Sequence, residues 1–327
     1  MRPTLRPRLV NGRFGDPGLF VEQLHRRDAL LFDMGDLTPL SARDLLRVSH
    51  AFVTHTHIDH FIGFDSLLRA QVGSDKSIEM VGPPGFADQV GHKLGGYQWD
   101  LVDRYKTDLA FEVTELHPGG FTRRASFRLK RAFAREESGE GRAEDGLVAR
   151  VGGLEVRAAL LEHHGPCLGF AVTEPAHVNV WANRVAERGL SAGPWLQGLK
   201  QAVLEGRPDD WPVELPGGAR PLGELRDLVS VGPGQKLAYV TDVADTEANR
   251  RSIAALARGA DIFFLESCFA AEDKERARDR AHLTTTAAGE IGRAAGVRRL
   301  EPFHFSTRYE GEEERMLAEV EAAFRAS

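Results

Sequence analysis

The sequence predicts a protein of the α/β class with two sets of strands, and two patterns indicate this. Short apolar runs of strand length alternate with segments of helical spacing, as at 78–81 and then at 86–94. Two successive stretches, residues 19–173 and residues 237–325, each contain several strands with helices between them. Because helices cover the faces of such sheets, we expect a layered core.

Size and composition limit the remaining possibilities. The chain has 327 residues, 42% of them hydrophobic, which is enough for one large domain with room for an insertion. It has no apolar run of signal-peptide or membrane-span length, and its two cysteines, Cys167 and Cys268, cannot form a disulfide framework. We therefore expect a soluble protein of the reducing cytoplasm, without membrane contact.

The first elements follow in order along the chain. The patterns predict a hairpin of two strands, a capped helix, a buried strand and a second helix, at 19–21 and 29–32, 41–46, 48–54 and 60–70. Asp33 begins the turn after the hairpin. Either it orients a metal-bound histidine by accepting its free N–H, or it is simply a turn carboxylate.

A dense group of metal-ligand side chains follows the buried strand. His55, His57, Asp59 and His60 lie within six positions, although the whole chain has only 12 histidines. Imidazole and carboxylate are the ligands that zinc takes in hydrolytic sites, where an open position holds water. Their spacing supplies ligands for two ions rather than one. The alternative is a His-rich surface loop.

The middle of the chain predicts antiparallel strands. Period-two alternation occurs at 110–115, 126–131 and 154–156, and the polar stretch 136–145 is expected to be an exposed hairpin tip. Basic residues cluster near this hairpin: Arg123, Arg124, Arg128, Lys130, Arg131 and Arg135. They indicate either a solvated sheet face or contact with phosphate groups. The net charge of −6 weakens, without excluding, a nucleic-acid substrate.

Further ligand candidates stand where later strands end. His163 and His164 end an apolar strand, and only one of them is expected to point inward from the bend that follows. The Pro- and Gly-rich segment 174–233 would cover or extend an active site, with short helices at 180–188 and 194–205.

Asp242 is the next candidate, at the end of a strand predicted over 236–242. A carboxylate in this place can bridge two metal ions, unless it caps the helix expected at 246–257. Glu266, His282 and His304 follow at the ends of the last elements, which are the strand 261–266, the helix 284–295 and the strand 297–302. All these side chains converge on one sheet edge, as a metallohydrolase requires.

The chain resembles a known family at these residues. The string from His55 to His60 matches the HxHxDH signature of the metallo-β-lactamase fold. Four further strings resemble the ribonuclease Z (tRNA 3′-endonuclease) group, at 163–170, 233–242, 265–269 with 282–284, and 304–309. The resemblance covers about residues 29–325 and selects His163 over His164.

The resemblance implies a fold, a cofactor and a division of roles. The fold is a four-layer αββα sandwich of two facing mixed sheets, and the cofactor is two zinc ions per chain. One ion is assigned to His55, His57 and His163, the other to Asp59, His60 and His304, with Asp242 between them. Catalytic roles fall to Asp59 and to His282 as a proton donor oriented by Glu266. Supporting or substrate-contacting roles fall to Asp33, Ser306, Arg308 and Lys200.

The implied activity is phosphodiester hydrolysis, with precursor tRNA as the RNA substrate and its 3′ trailer as the part removed. A homodimer is compatible with it. The chain departs from the group in lacking a Gly-Thr-Gly opening in residues 1–17, in having Leu265 before Glu266 where the group has a histidine, and in having one lysine in its arm-like stretch 189–200. A lactonase, a cyclic nucleotide phosphodiesterase and an idle binding protein are therefore the alternatives, and the complete ligand set argues against the last.

Overall fold

The computed structural model describes residues 4–24 and 26–326. They form two compact units, one of residues up to 172 and from 236 onward, the other of residues 173–235. The strands are β1 (Leu5–Leu9), β2 (Leu19–Gln23), β3 (Ala29–Phe32), β4 (Val48–Phe52), β5 (Ser77–Gly82), β6 (Ala110–Leu116), β7 (Phe121–Arg128), β8 (Arg135–Arg142), β9 (Leu147–Val151), β10 (Leu154–Glu162), β11 (Pro166–Thr173), β12 (His177–Val180), β13 (Pro212–Leu215), β14 (Gly218–Pro221), β15 (Val229–Gly232), β16 (Lys236–Val240), β17 (Ile262–Glu266) and β18 (Leu300–Phe303). The α-helices are α1 (Ala42–Arg47), α2 (Ile58–Phe61), α3 (Phe64–Gln71), α4 (Phe86–Gly95), α5 (Ala182–Glu187), α6 (Trp195–Leu204), α7 (Glu247–Ala257), α8 (Lys274–Asp279), α9 (Thr285–Ala294) and α10 (Glu313–Arg325).

The first sheet of the larger unit has eight strands in chain order, from β1 to β8. The strands β3 to β6 are parallel, because the helices α1 to α4 carry the chain back between them, and the flanking pairs are antiparallel. Phe64 and Leu67 of α3 and Phe86 of α4 pack on one face of this sheet. The helices thus cover its outer side.

The second sheet has six strands in the order β18-β17-β16-β11-β10-β9. The strands β16, β17 and β18 are parallel, and β9 pairs with β10 in antiparallel fashion. Ile253 of α7 and Ile291 of α9 pack with Val240 and Leu265 on its outer face. This sheet is therefore also mixed, with helices on one side.

The inner faces of the two sheets pack against each other. Phe32 and Phe52 of the first sheet are fully buried with Phe170 and Tyr239 of the second. The ring centroids of Phe32 and Phe170 are 5.9 Å apart, and those of Phe52 and Phe170 are 5.5 Å apart. Helix, sheet, sheet and helix therefore form four layers, which confirms the predicted αββα sandwich.

The helix predicted over 60–70 is wrong as a single element. The structure has α2 and α3, with Ile62 and Gly63 between them. The N–H of Gly63 donates to the carbonyl of Met34 at 2.8 Å instead of continuing the helical ladder. Gly63 also approaches the chain closely, because a Cβ there would lie 2.1 Å from the carbonyl oxygen of Gly35. The break thus docks α2 against the turn after β3.

The exposed hairpin tip predicted at 136–145 is also wrong in part. Most of that stretch is β8, an edge strand paired with β7. Its polar side chains are tolerated because both of its faces are largely exposed and the backbone ladder holds it. Glu140 lies opposite Arg123 in the register, with their charged groups 3.8 Å apart.

The smaller unit has a core of its own. β12 pairs with β15 and β13 with β14, and Trp195 and Leu199 of α6 are buried among apolar residues of this unit. The helices α5 and α6 confirm the two short helices expected in this segment. Among the described residues of the whole chain, no helix is long and apolar enough to cross a membrane.

Candidate metal centre and catalytic site

The loop after β4 carries the first candidate ligands. His55 and His57 precede α2, and His57 is the residue at which that helix begins. Their ring nitrogens form a group with His163 and Asp242 in which all the ligand atoms lie within 4.8 Å of one another. His163 follows β10, and Asp242 follows β16, so three strand ends of the two sheets supply this group.

The helix α2 carries the next two candidates. Asp59 and His60 lie in its single turn, and the ring of His60 packs against that of His55, with the centroids 4.2 Å apart. They form a second group with Asp242 and His304 under the same 4.8 Å limit. The six residues from His55 to His60 therefore supply two neighbouring ligand groups, the first from the loop and the second from the helix.

Asp242 belongs to both groups. Its Oδ2 lies 3.7 Å from Nε2 of His55 and 3.3 Å from Nε2 of His60, and its Oδ1 lies 2.9 Å from Nδ1 of His304. The hydroxyl of Thr241 donates to the same Oδ1 at 2.8 Å. One carboxylate thus lies between the two groups, in the place where a bridging ligand is needed.

The alternative interpretation of Asp242 as a helix cap is wrong. Helix α7 begins after Thr246, whose side chain accepts the N–H of Asn249 at 3.2 Å. Asp242 lies four positions before that cap, with a backbone φ of 46°. The left-handed region is rare for a residue with a side chain and costs free energy, and Asp33 and His304 adopt it as well.

The cluster fits bound metal ions. Nε2 of His55 and Nε2 of His60 are buried, and no described residue accepts or donates a hydrogen bond there. Burial lowers the pKa of His55 to about 2, which keeps it as the neutral imidazole that metals bind. Burial opposes protonation of His304 too, but Asp242 overcomes it and raises the pKa to about 10. The carboxylates thus attract positive charge, and nitrogen and oxygen donors of this kind suit zinc.

Asp33 contacts this cluster through His60. It is fully buried, and its Oδ2 lies 3.1 Å from Nδ1 of His60. Its Oδ1 accepts the N–H of Thr54 at 2.7 Å, and the hydroxyl of Tyr239 donates to Oδ2 at 2.9 Å. A carboxylate that accepts from Nδ1 leaves Nε2 of His60 available as a ligand atom. A simple turn carboxylate would not make these contacts, so the alternative interpretation of Asp33 is wrong.

His163 rather than His164 faces the cluster. Nδ1 of His163 lies 2.8 Å from the carbonyl of Ala281, which leaves Nε2 toward Asp242 at 3.8 Å. His164 is exposed, and it does not belong to any of the ligand groups found among the described residues.

His282 and Glu266 form a third group together with His304. Glu266 is fully buried, and its two carboxylate oxygens lie 3.2 and 3.1 Å from Nδ1 of His282. Burial lowers the pKa of His282, but Glu266 outweighs that effect and leaves the pKa raised. An imidazole that holds a proton beside a metal-ligand cluster is suited to proton donation.

The remaining predicted site residues are Ser306, Arg308 and Lys200. Ser306 donates its N–H to the carbonyl of Cys268 at 3.0 Å, and Arg308 lies 3.6 Å from a carboxylate oxygen of Asp273. Lys200 lies on α6 of the smaller unit.

The basic cluster near β7 is largely paired with carboxylates. Arg128 binds Asp108 through Nε at 3.0 Å and Nη2 at 2.8 Å, and Arg131 pairs with Glu136 at 2.6 Å. The geometry favours the solvated sheet face over phosphate contact for these arginines.

Several supporting residues were missed by the sequence analysis. Thr54 and Tyr239 bind Asp33, and the Ala281 carbonyl binds His163. Arg13 donates to the carbonyl of Pro302, which lies two residues before His304. A buried tyrosine three positions before Asp242 was a usable signal, since a buried hydroxyl needs a partner. The carbonyl of Ala281 left no signal in the sequence.

Known structures identify the class of protein. No family model matches the chain. The metallo-β-lactamase fold protein YhfI from Bacillus subtilis superposes with a TM-score of 0.56 at 15% identity, covering 97% of this chain and 92% of that one. The short form of human tRNase Z superposes with a TM-score of 0.53 at 17% identity, covering 94% and 92%. These superpositions show that the chain has the metallo-β-lactamase fold.

Sequence similarity then specifies the family. The chain is 32% identical to ribonuclease Z of Deinococcus radiodurans over 304 residues, which cover 91% of this chain and 88% of that protein. It therefore belongs to the ribonuclease Z family, and it is an endoribonuclease.

Proposed function

We propose that this endoribonuclease removes 3′ trailers from precursor tRNA with two zinc ions per chain. The observation that carries the proposal is the pair of ligand groups sharing Asp242, next to the separate pair of His282 and Glu266. The similarity to ribonuclease Z over most of both chains supports the choice of substrate.

The proposed ligands divide as the two groups do. His55, His57 and His163 would hold one ion, and Asp59, His60 and His304 would hold the other. Asp242, which belongs to both groups, would be available to either ion. When bound, such a pair of ions would lower the pKa of a water molecule and neutralise charge on a phosphoryl oxygen.

The protein's own groups then serve three tasks. Asp33 keeps His60 in one tautomer by accepting at Nδ1. Glu266 likewise fixes the His282 ring, whose Nε2 remains available to hold a proton for the leaving oxygen. Asp59 is proposed to contribute to catalysis as a ligand whose second oxygen can orient the attacking water.

RNA binding requires further contacts away from the scissile bond. We propose that the unit of residues 173–235 acts as a lid or an RNA-binding arm, with Lys200 among its contacts. Ser306 and Arg308 are proposed as supporting or substrate-contacting residues, and a homodimer as the assembly. The two cysteines are both free, which supports our placing the protein in the reducing cytoplasm.

A small phosphodiester is the second candidate substrate. The net charge of −6 and the carboxylate partners of Arg128 and Arg131 reduce the positive surface available to RNA. A cyclic nucleotide or a lactone would need no such surface.

One experiment separates these candidates. Zinc-loaded protein is given a precursor tRNA with a 3′ trailer, bis(p-nitrophenyl) phosphate and an acyl lactone in parallel. Cleavage of the RNA at the trailer junction, weakened by salt and by Lys200→Ala, supports the proposal. Rapid turnover of the small diester without RNA cleavage would remove the tRNA assignment, and lactone opening alone would overturn the phosphodiester chemistry as well.

A further inference from the structure

A cavity of about 540 Å³ is lined by His282 and by residues to which the chemistry described above gives no role. Its wall includes Lys274 and Arg278 of α8 and the residues at which α7 and α9 begin, Thr246 and Thr284. His282 lines this cavity and also belongs to the group with Glu266 and His304. The cavity therefore borders the candidate catalytic site, and its volume is in the range of ligand-binding pockets.

The cations of this wall differ in what they bind. Arg250 is engaged twice, by the carboxylate of Asp245 and by Glu290 at 2.8 Å. Lys274 and Arg278 are exposed, and no carboxylate of the described residues pairs with either of them. They are thus the lining cations that remain free to bind an anion.

The position of the two free cations on α8 indicates one shared ligand. Lys274 and Arg278 are four residues apart, so they lie on the same helix face, where like charges repel. An anion between them would offset that repulsion. The partial positive charges at the starts of α7 and α9 act in the same direction. Arg276 and Arg280 lie on the same stretch of chain but do not line the cavity.

We propose that this cavity binds a phosphate group of the RNA next to the scissile one, through Lys274 and Arg278. The inference rests on the proposed function, because it takes RNA as the substrate. A flanking phosphate exists in RNA and is missing from a small diester. The cavity would therefore raise affinity for RNA without taking part in the chemical step.

The test compares variants that differ in position but not in charge. Lys274→Ala with Arg278→Ala removes two cations from the cavity, and Arg276→Ala with Arg280→Ala removes two from the same region outside it. Glu275→Gln removes a lining carboxylate and should therefore change the KM for the RNA in the opposite direction. KM and kcat are measured for precursor tRNA at several salt concentrations and for bis(p-nitrophenyl) phosphate.

We expect the cavity variant to raise KM for the RNA several-fold and to leave both constants for the small diester unchanged. The slope of log KM against log salt should fall by about 0.7, because the variant loses its contact to one phosphate and each contact to a single-stranded phosphate contributes about 0.7. Glu275→Gln should lower KM for the RNA, and the control variant should match the unaltered protein.

Two results would overturn the inference. One is an RNA salt slope that is the same in the cavity variant, the control variant and the unaltered protein. The other is a parallel loss of kcat on both substrates, which would mean that the two residues act on the catalytic groups. An unaltered protein that hydrolyses the small diester but leaves RNA intact would instead contradict the proposed function itself.

Discussion

The carboxylate of Glu266 joins His282 to the backbone beside Asp242. Its Oε2 lies 3.1 Å from Nδ1 of His282, and its Oε1 accepts the N–H of Val243 at 2.7 Å. Glu266 is fully buried, so both interactions are made out of contact with water. One side chain thereby contacts both the imidazole that we propose as the proton donor and the residue after the carboxylate that we propose as the shared metal ligand.

This relationship predicts that His282 contributes to the rate and not to metal binding. His282→Ala should lower kcat by roughly 10² to 10⁴, the usual contribution of a positioned acid or base. Metal analysis of the same variant should still find two ions per chain. Glu266→Gln should lower kcat less, because the amide oxygen can still accept from Val243. Metal loss in His282→Ala would instead make that residue a ligand.

Removal of Asp242 should empty the metal centre. Asp242→Ala leaves His55, His60 and His304 without the carboxylate that they share, so ion content measured by plasma emission should fall from two per chain toward zero. Glu140→Ala is a control, because that carboxylate is 64% exposed on the edge strand β8 and lies 3.8 Å from Arg123. Two retained ions in Asp242→Ala would contradict the bridging assignment.

Arg13 is expected to hold the loop that carries His304. Its carbonyl accepts the N–H of Phe305 at 2.8 Å, and its guanidinium pairs with Glu301 at 2.8 Å. His304 lies between these two anchors with a φ of 57°. Arg13→Ala should lower the free energy of unfolding by roughly 1.5–3 kcal/mol, as loss of a hydrogen bond to a charged group does.

The same variant should also lower the affinity for one metal ion more than the affinity for the other. Of the two groups proposed to hold the ions, only the second contains His304, so metal titration of Arg13→Ala should show one tight and one weakened ion. Arg8→Ala is the control, because Arg8 is 47% exposed and lies 3.6 Å from Asp44, and such surface pairs contribute little. Equal weakening of both ions would show that Arg13 acts on the whole fold.

His50 predicts a pH dependence of stability away from the metal centre. Burial lowers its pKa from 6.5 to about 4. Between these values the unfolded chain takes up a proton and the folded chain does not, so the free energy of unfolding should fall as the pH falls from 6.5 to 4. The loss is at most about 3 kcal/mol.

Urea unfolding at pH 7 and pH 4.5 measures this effect. His50→Gln should lose less stability than the unaltered protein over that interval, because glutamine does not titrate. The comparison between the two proteins cancels the titration of the metal ligands. An identical loss in both proteins would show that His50 does not contribute.

Local patterns in the sequence predicted the elements that carry the site. The apolar run before His55, the strand before Asp242 and the strand ending at Glu266 were all visible, because a residue's neighbours two to four positions away decide which face is buried. The family signature between His55 and His60 added the assignment of ligands to two ions. These features depend on short stretches of chain, and the structure places them as expected at one edge.

Packing of the two sheets decided what the local patterns left open. The residues at the bend allowed either His163 or His164 to point inward, and the carbonyl of Ala281 orients His163 from 118 positions away. Asp33 reaches Tyr239 across 206 positions, and Arg13 reaches Glu301 across 288. The hydrophobic periodicity of the sequence does not predict such pairs. They form only when the two sheets have packed together and the turns at their shared edge have folded.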